Sequence, residues 1–341
     1  MIEIIIFVWG KTYWQTFLRV SLPSISNSIR FFEEANPKNK GKIVIVIWST
    51  KDEVDYVKTM KKDWPHLNIK FKKVSILNNG VQGQTDNLGR LIKENNKSFH
   101  LNKKKVFIKA KIKYVVQRIK QKAKKTNQVL PSFLSIYRSE RKLCSIMQKG
   151  IVYVPADMIW SENFISTIFF EYTNGIKALY AIYLRGCEEK IKPMILRNMH
   201  KIGFFSARNL VKIALQNPHP LTCAHFKNSV FFPDHYEYYF EKKETHVEAK
   251  CFSTTVTMFR FGAVLLDSLF KTKNIGLTSS ICLITDSDRM FAISLTPITK
   301  DWFWLLSFPN KSSQVLKKWK NIFSDRLFKK IEKIPIIFRY K

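Results

Sequence analysis

This sequence is poor in acids, poor in glycine and without any long apolar run. Lys and Arg number 58 against 26 Asp and Glu, and only 11 of 341 residues are Gly. No GxGxxG, GxxxxGK(S/T) or GxSxG occurs. Rossmann dinucleotide binding, P-loop hydrolysis and α/β-hydrolase chemistry need those residues for tight turns and close approach to phosphate or carbonyl, so these classes drop out. The five cysteines, Cys144, Cys187, Cys223, Cys251 and Cys282, are odd in number and contain no CxxC pair. That is a poor match to a disulfide framework or a zinc site and fits a reducing, cytoplasmic setting. The seven histidines include no HExxH, which argues against a structural zinc. The apolar runs at 2–9 and 301–308 are too short to cross a bilayer, and the amino terminus lacks a basic leader and a small-residue cleavage site.

What the chain does have is 45% hydrophobic residues, enough over 40.2 kDa for one large core or two smaller ones. Its net charge of +32 is concentrated. Residues 97–125 hold 12 Lys and Arg and no acid, and residues 311–341 hold 10 against Asp325 and Glu332, leaving +12 on the other 281 residues. Such blocks suit an anionic membrane surface, a polyanionic substrate or nucleic acid, and equally a solvated lysine-rich face. The first block lacks regular aromatic interleaving, which weighs against nucleic acid. In "SSQVLKKWKNIFSDRLFKKIEK", Leu316, Trp319, Phe323, Leu327 and Ile331 recur at spacings of three and four with lysines outside the stripe. This basic amphipathic helix can lie in a lipid headgroup layer or pack on its own domain.

The order of elements is α/β. "IEIIIFVW" (2–9) is a β-rich run closed by Gly10, the pattern of a strand buried on both faces. A helix follows, which Pro23 is expected to kink or stop. "KIVIVIWST" (42–50) and "LNIKFKKVSI" (67–76) read as strands on either side of a helix with acids in its first turn and lysines in its last. Residues 84–150 read as mainly helical, with Gly150 as a cap. Then come a strand at 151–155, a helix capped by Ser161, a strand at 177–186 and a helix capped by Ser206 and stopped at Pro218. A strand-rich stretch follows, with "CFSTTVTMFRF" (251–261) and the pair "ICLIT" and "MFAISL" about a turn at Asp286 to Arg289. No internal repeat or Gly/Ser linker is present. The expectation is one composite domain over 1–300, a mixed, mostly parallel sheet flanked by helices, with a basic helical insertion at 96–130 and a basic amphipathic segment at 301–341.

Candidate chemistry follows from placement. In open α/β sheets ligands sit outside the carboxyl ends of strands. In "IVYVPADMIWSENF", Asp157 stands at such an end, where it can ligand a divalent cation on a diphosphate, accept a sugar hydroxyl or serve a turn. "TDSDRM" offers Asp286 and Asp288 two residues apart, a pair able to hold a hard cation or to form a hairpin turn. His219, in "NPHPL", is a candidate base or phosphate contact, and equally a loop histidine.

Several segments together resemble a known family. "FVWGKTYWQTFLRVSLPSI", "VIWSTKDEV", "IVYVPADMIWSENF", "KALYAIYLRG", "NPHPL" and "LITDSDRMFAISLTP" resemble, in this order, uncharacterised bacterial proteins related to glycosyltransferases with the GT-A fold, over roughly residues 4–297. The resemblance implies a nucleotide-diphospho-sugar donor bound by the first half and a surface-polysaccharide or lipid-linked glycan acceptor bound by the later half. It implies Trp9, Gly10, Thr50, Asp157 and Arg185 as donor contacts, with Asp157 as ligand to Mn²⁺ or Mg²⁺. It assigns Asp286 or Asp288 to the acceptor side and His219 as an alternative base. Where such enzymes keep an Asp-x-Asp, only Asp157 is acidic here, and the strand at 251–259 lacks the histidine expected there. The competing expectation is a non-enzymatic basic protein binding nucleic acid or an anionic membrane. On the enzymatic reading, the chain is cytoplasmic and peripheral at the inner face of the membrane.

Overall fold

The computed structural model describes residues 1–8, 10–49, 53–73, 150–176, 178–181, 183–230, 232, 238–251, 281–298, 312–322 and 333–341. The basic insertion at 96–130, the helices expected at 84–149, residues 252–261 of the strand expected over 251–261, and residues 301–311 and 323–332 of the amphipathic segment lie outside them. Four strands, β1 (Ile2–Phe7), β2 (Ile43–Ser49), β3 (Ile69–Lys73) and β4 (Gly150–Pro155), form a wholly parallel sheet in the order β3-β2-β1-β4. β1, four isoleucines with Glu3 and Phe7, is buried on both faces. Ile2, Ile4 and Ile6 join the main core with Ile45, Ile47, Val152 and Val154, while Ile5 packs with Val44 and Val46 on the reverse face.

The helix after β1 does not stop at Pro23. It runs as α1 (Lys11–Thr16), a π-helical turn at Phe17–Ser21 and α2 (Leu22–Ala35). Proline lacks the N–H that an α-helix needs, and the wider turn just before it removes that demand locally. Leu22 keeps helical angles (φ −59, ψ −42), and Ser24 Oγ donates to the Ser21 carbonyl at 2.7 Å. The next helix is α3 (Val54–Asp63), with Asp55 in its first turn and Lys61 and Lys62 in its last. Gly150 is no helix cap: it opens β4, where an added Cβ would meet Ile2 and the Tyr172 ring at 3.2 Å.

Beyond β4 lie β5 (Met158–Trp160) and α4 (Phe164–Thr173). The cap of α4 is Asn163, two residues after Ser161. Ser161 is otherwise engaged, donating to Asn163 Oδ1 at 2.7 Å and accepting the Phe291 N–H at 3.0 Å. A serine on α2 completes the start of α4: Ser28 Oγ accepts the Ile165 N–H at 3.0 Å and donates to the Glu162 carbonyl at 3.0 Å.

The strand expected at 177–186 is two. β6 (Ala178–Tyr180) pairs in parallel with β10 (Ile281–Leu283), whereas β7 (Leu184–Cys187) pairs in parallel with β11 (Ala292–Thr296). The two apolar runs about Asp286 are likewise no hairpin, because β10 and β11 have different partners. β5 flanks β11 on its other side, antiparallel. Against β7 packs α5 (Glu188–Asn198), so closely that a Cβ on Gly186 would fall 2.2 Å from Ile191 Cδ1. Then follow α6 (Ala207–Gln216), capped at Ser206 as expected, and α7 (Pro220–Ala224).

β8 (Tyr238–Lys242), β9 (His246–Cys251) and β12 (Ile336–Arg339) make an antiparallel sheet in the order β12-β9-β8. Residues 336–339 are thus a strand of the fold. The proximal part of the amphipathic segment forms α8 (Ser312–Ile322), where Val315 is buried against Phe232 and Tyr239. Among the described residues no helix is long and apolar enough to cross a membrane.

Candidate functional site at the carboxyl edge of the parallel sheet

The strand order fixes where a crevice forms. From β1 the chain moves to β2 and β3 on one side, and β4 lies on the other, so the gap between β1 and β4 is the topological switch point of the sheet. The ends are level, with Phe7 in register with Trp48 and Pro155. Gly10 follows β1, Glu53 follows β2 and Asp157 follows β4, all on this carboxyl edge.

Gly10 has φ 81 and ψ 141, a conformation that side chains oppose, and it starts α1 with no side-chain cap. Its N–H donates to Glu53 Oε1 at 2.5 Å, and the other carboxylate oxygen of Glu53 lies 2.5 Å from Ser49 Oγ. Ser49 Oγ also lies 2.6 Å from the Val8 carbonyl and accepts from Trp14 Nε1 at 3.3 Å. Ser49 and Glu53 thereby clasp the ends of β1 and β2. Sequence reasoning passed over both. The available signal was a lone serine closing the apolar run of β2. Trp9 and Thr50 lie outside the described residues.

Asp157 occupies the two-residue turn between β4 and β5, and its carbonyl accepts the Leu295 N–H at 2.9 Å. Its side chain is half-buried, and among the described residues no cation lies within ion-pair distance of it. Burial pushes its carboxyl from 3.8 up to about 6; its own backbone N–H and the Arg185 charge oppose the rise, and the Glu188 charge adds to it.

Arg185 sits on β7, two strands from Asp157, because Ser294 of β11 is in register with Met158 on one side and Arg185 on the other. The guanidinium lies 5.7 Å from the Tyr183 ring centre. Beside it the first turn of α5 brings Glu188, which accepts from Thr16 Oγ1 at 3.0 Å and pairs with Lys192 at 3.3 Å. Lys192 Nζ also donates to Thr16 Oγ1 at 2.9 Å, joining α5 to the helix that leaves β1. Glu188 and Lys192 were legible only as an i,i+4 pair in "CEEKIK".

His219 is brought close to Arg185 but is used structurally. Its backbone N–H donates to the Arg185 carbonyl at 3.0 Å, and its Nδ1 accepts the Leu221 N–H at 3.2 Å, capping α7. Burial lowers its pKa, opposed by the Pro297 carbonyl and the Glu189 charge and aided by the Arg185 charge.

Asp286 and Asp288 are placed elsewhere. They precede β11, whose opposite end lies beside Asp157. Asp286 Oδ2 pairs with Arg339 Nε at 2.7 Å, and its Oδ1 accepts the Asp288 N–H at 3.0 Å. The Asp288 carboxylate takes Arg208 in a fork, at 2.7 Å from Nη2 and 3.0 Å from Nε. The pair thus ties α6 and β12 to one loop. These ions are partly exposed, so Asp286→Asn is expected to cost about 1 kcal/mol or less in a denaturant melt and to leave ligand binding at Asp157 unchanged.

Among the described residues no group of three or more His, Cys, Asp or Glu could hold a metal ion. No known family model matches the chain, and no curated protein matches it.

Proposed function

We propose that this chain is a nucleotide-sugar-dependent glycosyltransferase of GT-A-like design, acting on a surface-polysaccharide or lipid-linked glycan. The observation that carries the reading is the position of Asp157, a half-buried carboxylate without an ion-pair partner among the described residues, at the switch point of a parallel sheet. A carboxylate kept there against its desolvation cost serves a ligand better than it serves the fold.

In this reading the diphosphate lies across the ends of β1 and β4. Transfer leaves negative charge on the departing diphosphate, and Arg185 supplies fixed positive charge beside the site. Mn²⁺ or Mg²⁺ held by Asp157 would supply further neutralisation of that charge when bound. Gly10 lets the donor approach the backbone at the start of α1. Lys192 and Glu188 hold α5 against Thr16 and so fix the β7 side of the crevice. The basic segments would keep the chain at the cytoplasmic face of an anionic membrane, near a lipid-linked acceptor.

The test is release of nucleoside diphosphate from a panel of nucleotide sugars by the full chain, with Mn²⁺ or Mg²⁺, with and without glycan acceptors. Release that depends on one donor and falls by about a hundredfold in Arg185→Ala is expected. No release from any donor, together with salt-sensitive binding to anionic vesicles, would favour the non-enzymatic reading.

A further inference from the structure

A concave feature lies beside the turn that leads into the amino end of β3. It is a groove of about 640 Å³ between α2, the turn before β3 and the segment joining α5 to α6, within the range of small-ligand sites. Trp64, Phe31, Asn27, Arg30, His66 and Glu162 line it. Phe31 is 42% exposed, so part of its ring faces the groove and is open to a ligand. Glu162 is half-buried, and among the described residues its carboxylate has no hydrogen-bond partner. The polar groups around it are already oriented, with Arg30 Nη2 donating to Asn27 Oδ1 at 3.0 Å and His66 Nε2 lying 2.9 Å from Ser26 Oγ.

We infer that this groove binds a saccharide chain, with the Trp64 and Phe31 rings taking the C–H faces of pyranose units and Glu162, Asn27 and Arg30 taking their hydroxyls. A pyranose is apolar on its faces and rimmed by hydroxyl groups, so it needs both kinds of wall at once. Planar carboxylate, amide and guanidinium groups bond two neighbouring hydroxyls together. Glu34 and Glu162 balance Arg30 and Lys201 in this lining, so the groove has no cationic excess of the kind a phosphate polymer requires. Burial raises the Glu162 carboxyl, and a hydroxyl donor relieves the same cost without requiring a cation. The site lies apart from the transfer site, so it would hold a growing acceptor chain at a distance; that role, unlike the binding itself, rests on the glycosyltransferase reading.

The experiment is isothermal titration of the full chain with maltohexaose, chitohexaose and hexagalacturonate, without nucleotide. Saturable binding to at least one, weakened about tenfold in both Glu162→Gln and Phe31→Ala, is expected. Those two side chains are partly exposed, so neither change should unfold the protein, and a thermal melt checks that. Binding that persists in Asp157→Asn places the saccharide away from the donor site, even if no nucleotide sugar binds. Absence of saturable binding to all three chains, or binding unchanged in both groove variants, would overturn the inference.

Discussion

Asp157→Asn is expected to melt several degrees above the wild-type chain at about pH 7.5, while losing nucleotide-sugar binding and turnover. The sign follows from proton linkage. The folded chain holds a proton on Asp157 up to about pH 6 and the unfolded chain only to 3.8, so folding stability falls as pH rises through that window and is flat above it. At ~1.4 kcal/mol per pH unit, the ionised carboxylate costs the folded state up to about 3 kcal/mol at neutral pH. The neutral amide does not carry this cost. The gap between variant and wild type should open between about pH 4 and pH 6, and the two chains should converge in more acid solution. Differential scanning calorimetry across that range reads it directly. A variant that is less stable at neutral pH would mean that the Asp157 carboxylate serves the fold.

The second large effect concerns the carboxyl terminus. Removing residues 336–341 takes away β12, and with it Ile336 and Phe338, which are 2% and 1% exposed. Phe338 packs edge-on against Phe240 at 6.0 Å and Phe291 at 5.8 Å. Each large buried side chain is worth about 2–5 kcal/mol, so losing two of them, the ladder to β9 and the Arg339–Asp286 pair would consume most of a typical stability. The truncated chain is expected to be aggregated or to lack a cooperative melt. A soluble protein with an unchanged transition would show that the segment is a dispensable tail.

That segment shows where sequence patterning fails. Ten basic residues over 311–341 masked "PIIFRY", a short apolar run whose partner strand β9 lies almost ninety residues earlier. No local period reveals such a pairing. By contrast β1, β2 and β4 were plain, because strands inside a parallel sheet need continuous β-rich apolar stretches, and 2–7, 43–49 and 150–155 are rich in Ile and Val. The run 177–186 looked like one strand because periodicity records burial and not partnership; its halves are buried in different sheets.

The site was half legible for a related reason. Asp157 could be singled out because a turn after a buried strand is a place, in sequence as in space. Arg185 was named only through the family resemblance, and Glu188 and Lys192 not at all, since these residues reach the same edge through β11 and α5, which follow from the whole topology. The Asp286 and Asp288 pair looked like a cation site by spacing, but two arginines far along the chain, Arg208 and Arg339, neutralise it.

The most direct measurement is equilibrium binding of nucleotide sugars to the full chain and to Asp157→Asn, side by side, with Mn²⁺ or Mg²⁺ present. The account predicts saturable binding of one donor class to the wild-type chain, weakened by about tenfold or more in the variant. Equal affinity of both proteins, or no binding of any donor to either, would contradict a donor site at the gap between β1 and β4.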